Sequence, residues 1–121
     1  MPTNNSDLTN QYTVQELSDI LTINNIYVSQ SATSQYAIHQ YKNFVGAASA
    51  LSVRWDGKAS LAPNTSGVYL QIYNHNTTTW DALTGDTTTS ANTDFSQTYD
   101  VSDLANYKDT QNIVTFRIYQ N

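Results

Sequence analysis

The spacing of apolar residues divides this chain into a short helical stretch followed by a long run of strands. Residues 1–12 are polar and show no period, which reads as an extended arm. Such an arm is expected to dock on a neighbouring subunit or on its own domain. Thr13-Val14-Gln15-Glu16 has the Ser/Thr-x-x-Glu order of a capping box. Val14, Leu17, Ile20 and Leu21 then recur at helical spacing. The pattern predicts a short helix over 14–20 whose apolar face must be buried on the sandwich or on a partner.

From residue 21 the pattern is that of strands. Residues 21–29 are rich in β-branched side chains and predict a first strand. Residues 35–45 set Tyr36, Ile38 and Phe44 on one side and His39, Tyr41 and Val45 on the other. Over 50–56, Leu51, Val53 and Trp55 alternate with Ser52 and Arg54, and Asp56-Gly57 follows as a turn signal. A short return strand is expected over 58–62. Val68, Leu70 and Ile72 share one face of a strand over 68–74, and Tyr69, Gln71 and Tyr73 share the other. A polar turn leads into a return strand over 79–83, which Gly85-Asp86 is expected to break. Further strands are expected over 92–99 and 112–119, the last with Val114, Phe116 and Ile118 inward. Residues 101–109 read as a loop or a single helical turn. Roughly seven to nine short strands with little helix predict an all-β fold, a sandwich or barrel built from antiparallel sheets.

Length and composition narrow the function. With 121 residues the chain is one folding unit by size. It is expected to divide into residues 1–30, an arm with the helix and first strand, and residues 31–121, a β-sandwich domain. Charged residues are only 12%, so solubility rests on Thr, Asn, Ser and Gln. The net charge is −5 and the five basic residues are scattered, which points away from nucleic acid. No apolar run is long enough to insert in a membrane. The first residues lack the basic start and apolar core of a signal peptide.

Little in the sequence suggests catalysis. His39 sits mid-strand and His75 in a turn, neither beside a nucleophile motif. Glu16 is the only glutamate and belongs to the helix cap; the aspartates sit mostly at turns, where their side chains bond nearby backbone. No cofactor motif is present. Calcium is the one metal the residues suit, through Asp100 and Asp103 near one turn, against the plainer reading that Asp103 caps a turn.

Nine tyrosines form the more telling feature. With Val68, Leu70 and Ile72 inward, Tyr69 and Tyr73 face outward about 7 Å apart on their strand. Arg117 and Tyr119 face outward on the last strand by the same logic, and Gln71 and Arg117 supply hydrogen bonds beside the rings. Trp55 and Trp80 are expected in the core, with Trp80 nearer the surface. Tyr69, Gln71, Tyr73, Trp80, Arg117 and Tyr119 thus make up the candidate ligand or interface surface. The plainer reading is cross-strand pairs that cover a sheet.

From about residue 35 onward, LSVRWDG, LAPNTSG, VYLQIYN, TTTWDAL, the Phe95 and Tyr99 stretch and NIVTFRIYQ resemble the galactose-binding-like and carbohydrate-binding jelly-roll modules of bacterial and phage surface proteins. The resemblance implies a jelly-roll-like sandwich with an N-terminal arm. Two functions are expected from it and from the arm. One is a structural, self-assembling subunit of a virion or cell surface (decoration, tail or filament), whose partners are copies of itself or another structural protein. In that role Val14, Leu17, Ile20 and Leu21 belong to the assembly arm. The other is a carbohydrate-binding module that takes glycans on the Tyr-rich face.

Overall fold

A computed structural model describes residues 1–31 and 36–121. It contains one helix, α1 (Val14–Ile20), and six strands: β1 (Ala37–Phe44), β2 (Leu51–Gly57), β3 (Val68–Asn74), β4 (Thr79–Asp86), β5 (Phe95–Val101) and β6 (Ile113–Gln120). Gln35, the first residue of the strand predicted over 35–45, lies outside the described residues.

The strands form two antiparallel sheets, one of order β1-β6-β3-β4 and one of order β2-β5. The pairing nests. The first strand pairs with the last, the second with the fifth, and the third with the fourth. An antiparallel strip rolled up on itself gives this order, so the all-β, jelly-roll-like sandwich expected from the sequence is the fold.

Alternation explains which faces meet. Val68, Leu70, Ile72, Val114, Phe116 and Ile118 are buried on the inner face of the four-stranded sheet. They pack against Leu51, Val53, Trp55 and Phe95 of the two-stranded sheet and against Leu104 of the loop between β5 and β6. Each such side chain contributes about 1.5–3 kcal/mol when fully buried. A two-stranded sheet is too narrow to cover four strands. At the β1 end the remaining inner face is closed by Tyr12, which stacks on His39 and Tyr41 with ring centroids 5.9 Å away in each case.

Several expectations are corrected. Residues 21–29 form no strand; they run as turn and coil, with Asn25 at φ 59 and the Asn24 side chain accepting from the Ile26 amide. The unit over 1–30 therefore carries the arm and the helix without a first strand. Residues 58–62 form no strand either. Gly85-Asp86 does not break β4 but belongs to it, paired with Tyr69 and Val68. A Cβ on Gly85 would stand 2.5 Å from the Tyr69 ring, so this glycine lets the ring lie across the neighbouring strand. Trp55 packs in the core against Phe95, as expected, but Trp80 lies on the opposite, outer face of the large sheet.

Candidate functional site

The outer face of the large sheet brings the six predicted surface residues together. Cross-strand partners share a face, so Tyr69 lies beside Tyr119, Gln71 beside Arg117, and Tyr73 beside Trp80. Gln40, opposite Arg117, and Lys42, opposite Thr115, extend the face onto β1. Tyr69 and Tyr119 have ring centroids 5.5 Å apart, and Tyr73 and Trp80 meet edge to face at 5.2 Å.

Arg117 organises this face. Its guanidinium lies 4.1 Å from the Trp80 ring centroid and 5.5 Å from that of Tyr119, a double cation–π contact. Its Nε donates to Gln71 Oε1 at 2.7 Å. The residue is only 5% exposed, and among the described residues no carboxylate pairs with it. Burial pulls its pKa down to about 10, which leaves it charged at neutral pH. A buried cation without an anion is costly, so the acceptors around it matter.

One of those acceptors comes from the N-terminal arm. Arg117 Nη1 donates to the Pro2 carbonyl at 2.7 Å, and Trp80 Nε1 to the Asn4 carbonyl at 3.2 Å. Asn5 reaches Thr115 Oγ1 at 3.3 Å, and Gln40 donates to the Ser6 carbonyl at 2.9 Å. Lys42 pairs with Asp7 at 2.6 Å. The arm therefore crosses the outer face from Trp80 to Lys42. It then passes the β1 edge, because Tyr12 lies on the inner side against His39. Tyr73, expected to face outward and free, points outward but is buried.

The helix is the second unusual feature. Its capping box is complete: the Glu16 amide donates to Thr13 Oγ1, and the Thr13 amide to the Glu16 carboxylate. Its orientation is inverted relative to an ordinary surface helix. The half-buried positions are Glu16, Asp19 and Ile20. The apolar row faces outward, with Val14 87%, Leu17 46% and Leu21 81% exposed. Ile23 and Ile26 continue it, also exposed. Of the predicted arm residues, only Ile20 turns toward the domain.

Other expected groups stand apart. Asp100 accepts from Ser52, and Asp103 accepts from the Ala105 amide at 2.9 Å, so Asp103 caps a turn. Among the described residues no cluster of three metal-ligating side chains occurs. A shallow cavity of about 250 Å³ lies between the arm, α1 and residues 28–31, lined by Asn10, Gln11, Tyr12 and Glu16 among others. Its one carboxylate is taken up by the helix cap.

His39 does have a role that sequence reasoning missed. The Tyr12 hydroxyl and its Nδ1 are hydrogen-bonded. Burial holds the His39 pKa below its ordinary value of 6.5. Burial, with Tyr41 and Glu16 nearby, drives the Tyr12 hydroxyl well above its own. Unfolded chains thus bind the His39 proton more readily than folded ones, and stability falls as pH drops below about 6.5. Proteolysis of the arm is expected to accelerate between pH 7 and pH 5, and His39→Gln to flatten that dependence. An identical pH profile in the variant would remove His39 as the cause.

Comparison with protein-family models, with characterised proteins and with solved structures finds no match. The galactose-binding-like resemblance therefore rests on the residues that carry it.

Proposed function

We propose that this chain is a non-catalytic assembly subunit that packs against further copies of itself through α1, in a virion or cell-surface structure such as a decoration, tail or filament. The observation that carries the reading is the inverted helix. A seven-residue helix with Val14, Leu17 and Leu21 turned to solvent leaves an apolar row without a partner among the described residues. Contiguous exposed apolar surface of this kind marks interaction sites. A row of aliphatic side chains is complementary to its own copy about a two-fold axis, so a second copy satisfies it.

The glycan-binding alternative requires an open Tyr69–Tyr73 face. The arm lies over part of that face and Tyr73 is buried, so this alternative requires a movement that the assembly reading does not.

Sedimentation over a concentration range, followed by negative-stain imaging, tests the proposal. The wild type is expected to form defined oligomers or filaments. Val14→Asp and Leu21→Asp are expected to weaken association at least tenfold, since each buries a charge in the contact. Both positions are exposed, so the fold is unaffected. A wild type that stays monomeric at every concentration would sink self-assembly.

A further inference from the structure

The arm meets the sheet in a one-sided way. Arg117, Trp80, Gln40 and Lys42 all donate, and Pro2, Asn4, Asn5, Ser6 and Asp7 accept. Only the Asn5 amide group donates back, to Thr115. The outer face carries two cations, Lys42 and Arg117, and no carboxylate at any of its paired positions. Without the arm, Arg117 keeps its bond to Gln71 Oε1, while Arg117 Nη1, Trp80 Nε1 and Lys42 Nζ lose the oxygens they meet. The arm supplies mostly main-chain carbonyls, which any copy of the chain carries equally.

The arm is also poorly anchored to its own domain. Of residues 1–7 only Asn5 is even half-buried, and the Lys42–Asp7 pair is exposed at both ends. Exposed pairs contribute little to stability. The contacts span sequence separations from 34 to 115 residues, so nothing local ties the arm to one sheet. An arm from a second copy would make every one of these bonds unchanged, the condition under which exchange between protomers is cheap.

We infer that the N-terminal arm exchanges between copies, residues 2–7 of one chain seating on the Trp80–Arg117–Gln40–Lys42 face of another. The inference rests on the assembly reading. A tethered arm competes for its own sheet at an effective concentration in the millimolar range, so exchange requires neighbours held close. The apolar row of α1 holds them close. Residues 8–13 separate the arm from the helix and span at most about 20 Å when extended. Exchange then requires that copies joined through α1 set the partner's outer face within that span of the helix. In this arrangement the helix supplies affinity and the arm sets the register of one copy on the next.

The chain has no cysteine, which makes disulfide trapping clean. Asn5→Cys and Thr115→Cys replace two side chains that are hydrogen-bonded at 3.3 Å. The two single variants, one enlarged by a tag, are mixed in the full-length chain and oxidised. A disulfide between the different chains forms only when the arm of one lies on the sheet of the other. A mixed-mass band on a non-reducing gel is expected, growing with protein concentration and lost when Leu21→Asp is added to both chains. The corresponding double variant, with both cysteines in one chain, reports the closed arm as an internal disulfide. An internal disulfide in the double variant with no mixed band from the single variants overturns exchange. If the wild type still sediments as an assembly in that case, the α1 contact stands and only the arm's part in it falls.

Discussion

Leu104→Ala is expected to lower the free energy of unfolding by about 3 kcal/mol, a loss of roughly 10 °C in melting temperature. Leu104 is 0% exposed although it lies in the loop between β5 and β6. Its side chain packs in the cluster of Ile72, Val101, Val114 and Phe116. Its backbone is fixed as well: the amide donates to the Ser49 carbonyl at 2.9 Å, and its own carbonyl accepts from the Tyr107 amide at 3.0 Å. Those bonds keep the loop from collapsing into the space that truncation creates, so the cavity term stays large. Urea melts of the two proteins measure the difference. A loss under about 1 kcal/mol would mean that the loop closes the cavity and is less firmly tied than its hydrogen bonds indicate.

The same contrast between side-chain pattern and backbone contact decides what was legible in the sequence. β3 and β6 were plain, because Val68, Leu70, Ile72 and Val114, Phe116, Ile118 alternate with polar or amphipathic neighbours and the sandwich buries one side. The helix was plain too, since Thr13 and Glu16 satisfy each other locally. The strand expected over 21–29 rested on β-branched content alone, and such propensity needs a partner edge to be realised. The Asn24 side chain and the positive φ of Asn25 fold that segment back instead. At Gly85 the error ran the other way. A glycine that reads as a break is kept in β4 because the Tyr69 ring takes the space of its missing side chain. The outward direction of Tyr69, Gln71, Arg117 and Tyr119 followed from alternation. The arm's contacts with Arg117, Trp80, Gln40 and Lys42 did not. The arm binds through its carbonyls, and main-chain oxygens leave no mark on the residue types of the segment that offers them.

Trp80 is where the sheet and the arm are coupled, and two substitutions there are expected to separate them. Trp80→Ala removes the ring that lies 4.1 Å from the Arg117 guanidinium and 5.2 Å from Tyr73. It also removes the donor to Asn4. The expected cost is about 3 kcal/mol, because the lost ring leaves Arg117 charged, buried and stacked on one side only. Trp80→Phe keeps a ring beside Arg117 and loses the N–H. Its expected cost in a urea melt is about 1 kcal/mol, the net worth of one hydrogen bond, and it shows as faster proteolysis of residues 1–12. Equal losses from the two variants would mean that the ring adds nothing beyond its bond to the arm. The unpaired charge of Arg117 would then be carried by Gln71 and Pro2 alone, and the arm would be the main support of the outer face. The expected inequality assigns that support to the aromatic stack and leaves the arm free to be released without loss of the fold, as its exchange between copies requires.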